Sequence, residues 1–404
     1  MILDKIFFKR LIGYIIFIPF SPFWWLQKLI KRKNNIWVFG AWHGYSYSDN
    51  SKAIFEYVNQ NHNEIISVWL TRDPFISNQL LKKGYRCYMT NSITGVVFSL
   101  FAKNVIISCG KSDVNRFFIN GAKIFHLWHG APMKQIGLDE KIDSVIRKNK
   151  NREIDNYFYW RILPKYIFTL FDEYHVNFLV STSKEFSKNL QTAFELSPKR
   201  ILLTGYPRND VLLMDNQINK YKEKTDYLIM YMPTFRSKKS IDDLLNEYSF
   251  SMERIEELLE KINGRLIIKA HFASESKLND MQGRVIKVAN HPLLDVNHIL
   301  KDVDVLITDY SGCYFDYLLL NKPIIFTPFD YEDYIFNDRQ LYFEYDQIIS
   351  GPKTKNWIDV EKEILKIVNG NDMYKEKRVQ MNKRFNEFQD SNSSKRLFKT
   401  INSN

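Results

Sequence analysis

Short apolar runs alternate with longer mixed segments along this chain from Ile36 onward. The first six runs are rich in β-branched and aromatic residues, and most are too continuous for a sheet with one solvated face. Such runs are typical of parallel strands covered on both sides, and the intervening segments are long enough for helices. The predicted strands of this series are Ile36–Phe39, Ile65–Leu70, Val105–Ser108, Lys123–Leu127, Phe178–Thr182 and Ile201–Thr204.

A second series of apolar runs begins after residues 211–224, which become polar toward their end. Within it, residues 241–262 are amphipathic and lead into Asn263-Gly264, a plausible helix stop. Residues 371–399 are charged and predicted to be helical. The predicted strands of this series are Tyr227–Met232, Leu266–Lys269, Val285–Val288, Val303–Thr308 and Ile324–Thr327.

The two series predict an α/β protein with two doubly wound, Rossmann-like domains facing a cleft. The length agrees, because 404 residues are too many for one ordinary core. We place the first domain at residues 36–215 and the second, with its C-terminal helices, at residues 216–404. Residues 1–35 form a separate basic and aromatic segment.

That amino-terminal segment concentrates the positive charge of the chain. The net charge is +11, and residues 1–35 hold seven basic residues against one acidic residue. Residues 11–26 are uncharged but shorter than the roughly 20 residues of a membrane-spanning helix. Trp24 and Trp25 then precede four basic residues, an order suited to an anionic membrane surface. The segment therefore predicts monotopic membrane attachment; the alternatives are packing on the protein body, or a signal peptide or span.

Polar and cationic residues follow the predicted strands, where open α/β sheets bind their ligands. After residues 123–127 the chain reads His129-Gly130-Ala131-Pro132-Met133-Lys134, and after residues 201–204 it reads Gly205-Tyr206-Pro207-Arg208. In the second series, the corresponding residues are Thr234-Phe235-Arg236, Lys269-Ala270-His271 and Asp309-Tyr310-Ser311-Gly312.

Each of these strand ends has an ordinary structural explanation when taken alone. A strand-end histidine is often a satisfied structural residue, and Arg208 with its neighbours is compatible with a turn and a local ion pair. Together, however, imidazole, guanidinium and ammonium groups gathered in one cleft predict a phosphate site. Ser311 is a plausible helix N-cap, Gly312 allows a ligand to approach the backbone, and Asp316 lies where it can accept sugar hydroxyl bonds.

A further polar loop follows the first strand. Gly40-Ala41-Trp42-His43-Gly44 is followed by serines, Asp49 and Asn50. This loop either meets an acceptor substrate or caps a helix that begins near Ser51.

Other kinds of chemistry have little support in the sequence. The chain has three cysteines and no Cys-x-x-Cys, and we interpret Cys87 and Cys109 as buried thiols in a reducing compartment. It has no His-Glu-x-x-His, P-loop or Gly-x-Ser-x-Gly motif, so we predict neither a metal nor a cofactor. The strand-end cations are dispersed, whereas a nucleic-acid binder needs a continuous basic face.

Five segments, in this order, resemble the CDP-glycerol glycerophosphotransferase family, which comprises teichoic-acid primases and polymerases and related capsule polymerases. They are WHGAPMKQIG, GYPRND, YMPTFR, KAH and LITDYSGCYFDYLLLNKPIIFTPFDYEDY, and the resemblance runs from about residue 36 to about residue 352. Two positions depart from the common family pattern, which has His-Pro at His271-Phe272 and Ser-Ser at Ser311-Gly312.

The resemblance implies a GT-B-type fold on the cytoplasmic face of the cell membrane, with the acceptor on the first domain and the CDP-linked donor on the second. It implies transfer of glycerol phosphate from CDP-glycerol, or a related CDP-alditol, to a hydroxyl of a lipid-linked or polymer acceptor, with release of CMP. By resemblance, His129 is the catalytic base. The implied substrate-binding residues are Gly130, Ala131, Pro132, Met133, Arg208, Thr234, Phe235, Arg236, Lys269, Ala270, His271, Ser311, Gly312 and Asp316.

Three alternatives remain at this level. A ribitol-phosphate transferase and a nucleotide-sugar glycosyltransferase would use the same fold. A non-catalytic basic protein that binds membranes would need only the amino-terminal charge. Primase and polymerase roles are both compatible with the sequence.

Overall fold

The computed structural model describes residues 22–140, 175–214, 222, 226–236, 239–269 and 283–404. These residues form two compact units. The first contains residues 22–128 and 175–178, and the second contains residues 129–140 and the described residues from 179 onward. The predicted domain boundary near residue 215 adjoins residues 215–221, which lie outside the described residues, and stays a prediction.

The first unit is built on parallel strands in the order β3-β2-β1-β4-β5. Four of them match predicted strands, and their inward residues are almost completely buried, as expected for a sheet covered on both faces. The short strand β3 was not predicted, because three residues give no readable periodicity. The strands are β1 (Lys33–Gly40), β2 (Ile66–Thr71), β3 (Cys87–Met89), β4 (Ala102–Ile107) and β5 (Lys123–His126).

Three helices accompany this sheet, and side-chain caps mark the starts of the second and the third. Helix α1 (Asp49–Asn61) begins slightly before the predicted position near Ser51. Helix α2 (Pro74–Lys82) has proline at its first position and Asp73 as a cap, and α3 (Ile93–Phe101) is capped by Ser92. Cys87 and Cys109 are buried, as predicted. Short 3-10 turns span Trp42–Gly44, Lys111–Asp113 and Arg116–Phe118.

The described part of the amino-terminal segment is tied to this unit. Residues 22–26 are helical and continue into a 3-10 turn, Gln27–Leu29. Trp24 is buried and its carbonyl accepts from Asn120 Nδ2, while Arg32 donates to the carbonyls of Ser99 and Ala102. Residues 22–33 are thus bonded to the first unit, and residues 1–21 lie outside the described residues. No helix within the described ranges has the length and apolar character needed to cross a bilayer.

The second unit contains a parallel strand pair and a five-stranded parallel sheet. Strand β6 (Phe178–Ser181) pairs with β7 (Ile201–Leu203), and helix α4 (Lys184–Phe194) connects them. The larger sheet has the order β10-β9-β8-β11-β12, and every strand in it was predicted. Its strands are β8 (Tyr227–Met232), β9 (Gly264–Ile268), β10 (Val285–Lys287), β11 (Val305–Thr308) and β12 (Ile324–Phe326).

The amphipathic stretch at 241–262 forms two helices rather than one. Helix α5 (Ile241–Glu247) ends before Ser249, which has a left-handed φ of 63°, and Ser251 caps α6 (Met252–Lys261). Gly264 begins β9, and Asn263 takes the left-handed conformation at the helix end. The remaining helices are α7 (Asn297–Leu300), α8 (Cys313–Tyr317), α9 (Tyr331–Asn337), α10 (Tyr345–Ile348), α11 (Trp357–Val368), α12 (Lys375–Phe385) and α13 (Ser393–Ser403).

The last two helices fasten the strand pair to the rest of the second unit. Asp210 accepts from the backbone N–H groups of Ser393 and Ser394, both at 2.8 Å. Thr182 donates to the carbonyl of Phe385 at 3.0 Å. These long-range bonds explain why residues 179–214 and the C-terminal helices fall into one compact unit.

Candidate active site

The chain leaves β5 through a strained turn that leads directly to His129. Trp128 has a left-handed φ of 60°, which a bulky residue adopts only when its surroundings impose it. Asn50 supplies part of that constraint, because its Nδ2 donates to the carbonyl of Trp128 at 2.8 Å. Asn50, in the first turn of α1, therefore holds the turn at the end of β5.

The loop that begins at His129 is anchored by Arg208. Its Nη1 donates to the carbonyl of His129 at 2.7 Å, and its Nη2 donates to Oδ2 of Asp316 at 2.6 Å. Asn209 donates to the other oxygen of Asp316 at 2.9 Å. Both oxygens of Asp316 thus have protein partners, whereas the sequence suggested that this carboxylate accepts bonds from a sugar. The structure connects Asp316, through Arg208, to the backbone of His129, and a bond from a sugar hydroxyl stays a prediction.

Gly312 is required by a contact within this loop. A Cβ atom at Gly312 would lie 2.6 Å from the carbonyl oxygen of Ala131. Helix α8 begins after Gly312, which is its N-cap and offers no side chain, so the prediction of Ser311 as the cap is wrong. Ser311 Oγ accepts only a long bond, 3.5 Å, from the N–H of Cys313. A serine one position before the N-cap is too early to reach the second and third N–H groups of the helix.

Arg236 lies in a buried ionic cluster with Asp309 and Asp330. Its Nη1 donates to Asp309 Oδ2 at 2.5 Å and to the carbonyl of Thr234, and its Nε and Nη2 donate to both oxygens of Asp330. Burial alone would lower the pKa of Arg236, but the two carboxylates raise it above its ordinary value. The sequence predicts that the guanidinium of Arg236 binds a phosphate. In the structure, protein groups accept most of its hydrogen bonds.

Aromatic rings complete the surroundings of Arg236. The guanidinium lies 5.2 Å from the ring centres of both Tyr310 and Tyr334, and these rings stack on each other at 4.3 Å. The Tyr310 hydroxyl donates to Asp330 at 3.2 Å. Burial alone would raise the pKa of Asp330, but the bonds and charge of Arg236 lower it below its ordinary value. The guanidinium, the two carboxylates and the stacked rings thus contact one another within the cluster.

The remaining predicted site residues differ in how far the structure describes them. Lys269 is buried and its ammonium donates to Asn290 Oδ1, and burial lowers its pKa to about 8. Ala131 and Met133 are buried, while Phe235 is 38% exposed. Ala270 and His271 lie outside the described residues.

The structure brings seven of the fifteen predicted site residues into two clusters of the second unit. One contains His129, Ala131, Arg208, Gly312 and Asp316, joined by the contacts given above. The other contains Thr234 and Arg236 around Asp309, and the segment 309–312 connects the two along the chain. Sequence reasoning missed the roles of Asn50, Asn209, Asp309 and Asp330, because a supporting hydrogen bond leaves no local pattern.

The loop around His43 in the first unit is also strained. Trp42 and His43 have left-handed φ angles of 48° and 57°. His43 Nδ1 lies 2.6 Å from Ser112 Oγ, and the His43 N–H donates to Asp113 at 2.7 Å. Burial raises the pKa of Asp113 to about 6, although several N–H groups oppose the shift. An acceptor role for this loop stays a prediction.

The described residues contain no group of three or more histidine, cysteine or acidic side chains placed to hold a metal ion.

Comparison with known proteins places the chain in a family. The family model of CDP-Glycerol:Poly(glycerophosphate) glycerophosphotransferase matches residues 23–403, so the chain belongs to that family. A teichoic acid glycerol-phosphate transferase of Staphylococcus aureus is 27% identical over 97% of this chain and 98% of that protein. A teichoic acid poly(glycerol phosphate) polymerase of Bacillus subtilis is 24% identical, and its match covers 81% of this chain but 43% of the polymerase.

A solved structure agrees with the fold. The wall teichoic acid polymerase TagF aligns with a TM-score of 0.70 and 21% identity, over all of this chain and 98% of that one. The predicted α/β fold with parallel sheets is confirmed, and so are the predicted family and the activity of a glycerophosphotransferase in teichoic acid synthesis.

Proposed function

We propose that this enzyme transfers glycerol phosphate from CDP-glycerol to a hydroxyl of a lipid-linked or polymer acceptor, with His129 as the general base. The observation that carries this proposal is the position of His129. It follows a strained strand end, and Arg208 holds its carbonyl while also binding Asp316. Strain that the surroundings maintain beside a candidate base is a common property of active sites.

The chemistry follows from the groups present. The His129 imidazole takes the proton of the acceptor hydroxyl as the oxygen attacks the phosphorus that carries glycerol. A new P–O bond forms to the acceptor, and the bond from that phosphorus to the bridging oxygen breaks. The electron pair remains on the phosphate of CMP, which leaves with that oxygen. Cationic side chains lower the cost of the charge that develops there.

The donor site in this proposal comprises the predicted residues of the second unit. Loop 129–133 contacts the diphosphate, and Thr234, Phe235, Lys269, Ala270, His271 and Ser311 contact the rest of the nucleotide donor. Arg208, Arg236, Gly312 and Asp316 bind or position this surface. Their observed partners favour positioning for Arg236 and Asp316, because protein groups already occupy most of their bonding capacity.

We also propose that the enzyme works as a peripheral protein at the anionic, cytoplasmic face of the membrane, where a lipid-linked acceptor is accessible. Helix α3 supports this, because Ile93, Val97 and Phe101 recur every four residues and are 86%, 44% and 37% exposed. Arg32 joins this helix to the amino-terminal segment, whose Leu29 is 81% exposed.

Product analysis tests the function. The purified enzyme is incubated with a lipid-linked acceptor in three separate reactions. Each reaction contains one donor: CDP-glycerol, CDP-ribitol or a UDP-sugar. We expect CMP release with CDP-glycerol, and mass spectrometry should show an acceptor that is heavier by glycerol phosphate. CMP release only with CDP-ribitol, or sugar transfer from the UDP-sugar, would replace this proposal with the corresponding alternative.

A further inference from the structure

Lys134, the residue that follows the candidate loop, has a fixed backbone. It forms an antiparallel bridge with Leu341. On one side, the N–H of Tyr342 donates to the carbonyl of Met133 at 2.9 Å, and on the other, the N–H of Gln135 donates to the carbonyl of Gln340 at 2.9 Å. The loop therefore ends in a two-stranded clamp, and the clamp fixes where the Lys134 side chain starts.

The ammonium group of Lys134 is influenced by the charges of the buried ionic cluster but has no ion-pair partner among the described residues. Its charged and titratable neighbours are Asp309, Arg339, Arg236 and Cys313. Asp309 is already engaged, because it binds Arg236 through one oxygen and accepts from the N–H of Thr234 at 2.8 Å through the other. No carboxylate oxygen of the described residues lies within 4.0 Å of the Lys134 ammonium. Lys134 is half-buried, and the desolvation of its ammonium lowers its pKa to about 8.

A second polar group beside Asp309 is also unsatisfied. Thr234 is 7% exposed, and its Oγ1 has no hydrogen-bond partner among the residues that the structure describes. A buried hydroxyl without a partner is unfavourable, and a half-buried ammonium without a counter-ion is only partly compensated by solvent. Both costs disappear when one anion accepts bonds from the hydroxyl and the ammonium. A phosphoryl group has the charge and the acceptor oxygens for this.

We propose that Lys134 is a further catalytic residue, which binds the diphosphate of the nucleotide donor together with Thr234 and stabilises the phosphate of the departing nucleoside monophosphate. This inference rests on the proposed function for the identity of the donor. Lys134 transfers no proton in this step. Its positive charge offsets the negative charge that accumulates on the phosphate oxygens when the P–O bond breaks.

Arg236 and Lys134 differ in how much net positive charge they contribute to the site. Arg236 is neutralised by Asp309 and Asp330, so it adds little net positive charge to the site. Lys134 has no such neutralising contact, and it is therefore the group whose charge an incoming diphosphate meets. A lysine suits this task as a compact charge on a flexible stem, which can follow the phosphate from donor to product.

Direct binding of CDP tests the inference independently of glycerol transfer. Calorimetry with Lys134→Met is expected to show at least tenfold weaker binding of CDP, and kcat/KM for CDP-glycerol should fall about 10²–10³-fold. Lys353→Met is the matched control, because Lys353 is surface-exposed and pairs with Asp346 at 2.6 Å. Circular dichroism and thermal melting check that each variant is folded.

The pH dependence separates a charge role from a structural role. In the free wild-type enzyme, Lys134 loses its proton as the pH rises through about 8, so kcat/KM should decline above that value. Bound donor favours the charged form, so kcat should decline only at higher pH. Lys269, whose pKa is also lowered to about 8, titrates in the same range, so the variant is compared with the wild type. Lys134→Arg keeps its charge throughout this range and should show a weaker decline in kcat/KM.

Several outcomes would overturn the inference. One is a folded Lys134→Met variant that binds CDP within twofold of the wild type and keeps its kcat/KM. Another is an unchanged alkaline decline in Lys134→Arg. If the wild type binds CDP in a Lys134-dependent way but releases no CMP from CDP-glycerol, the proposed function fails and the inference on the diphosphate stands.

Discussion

Arg208 donates from Nη2 to Oδ2 of Asp316 at 2.6 Å, and the two side chains are 12% and 3% exposed. The same guanidinium holds the carbonyl of His129 through Nη1. A buried pair of this kind fixes geometry, because either partner is unfavourable without the other. Asp316, which is 108 positions from Arg208 in the sequence, therefore helps to set the position of the candidate base.

We predict that Asp316→Asn and Arg208→Met each lower kcat/KM, and that their effects are strongly non-additive. Residues that act through one network show coupling of about 0.5–3 kcal/mol in a double-mutant cycle. The measurement is steady-state CMP release from CDP-glycerol by the two single variants and the double variant. Additive losses would mean that Asp316 contacts the substrate independently of Arg208.

His129→Ala is expected to keep its fold and to lose about 10²–10⁴-fold in turnover, the usual contribution of a general base. The assay is CMP release under saturating donor. His62→Ala is the control, since His62 lies at the end of α1 beside Glu64, at 3.0 Å, in the first unit. A folded His129→Ala variant with near-normal CMP release would show that another group accepts the proton.

Gly312→Ala is expected to destabilise the enzyme by about 1–3 kcal/mol, the usual cost of overpacking. Its new Cβ would lie 2.6 Å from the Ala131 carbonyl, whereas the nearest atom to a Cβ at Gly130 is 3.6 Å away. Gly130→Ala is therefore the matched variant and should melt close to the wild type. Urea unfolding measures the stability of both variants. Equal unfolding midpoints for Gly312→Ala and Gly130→Ala would mean that the loop accommodates the Cβ at Gly312 without a loss of stability.

Arg236→Ala should lower stability by about 3–5 kcal/mol, because it leaves Asp309 and Asp330 buried without a counter-ion. Arg236 lowers the pKa of Asp330, so its stabilisation is present at neutral pH and is lost as the pH falls below about 4. The difference in unfolding free energy between wild type and variant should narrow over that range. A difference that is independent of pH would show that lost packing, and not charge, is responsible.

Substitution of Arg236 is also expected to change the affinity for the donor. We expect Arg236→Lys to weaken CDP-glycerol binding more than a swap of like charges suggests, because a lysine cannot hold both carboxylates in the fork geometry. We expect no loss of affinity in the presence of a chelator. Calorimetry measures both. Unchanged affinity in both Arg236→Ala and His271→Ala would refute a shared donor site, and a collapse on chelation would show that a metal carries the charge.

Membrane attachment is expected to depend on residues 1–21 and on the exposed face of α3. The structure changes the design of this test, because residues 22–33 pack on the first unit and their removal would expose its core. We therefore expect deletion of 1–21, combined with Ile93→Ser and Val97→Ser, to abolish flotation with anionic liposomes. Exposed Met373→Ser in the second unit is the control. Flotation as strong as that of the full chain would contradict the proposal.

The local pattern was sufficient to predict the strands and the class of fold. Eleven strands were predicted as continuous apolar runs, and each is present, because a strand buried on both faces needs an uninterrupted run of apolar residues. The split of 241–262 into two helices was not predicted, since the left-handed Ser249 leaves the amphipathic period on either side unchanged. Strand β3 was too short to recognise.

The sequence by itself determined that histidine, arginine and lysine residues stand at the ends of parallel strands, because strand ends follow from local periodicity. Only the tertiary structure decided what each of them binds. Arg236 meets Asp309 and Asp330, which are 73 and 94 positions away, and Lys134 reaches the same cluster without gaining a carboxylate partner among the described residues. Such pairings depend on which strand ends and loops the fold brings within hydrogen-bond distance, and that information is spread over the whole chain.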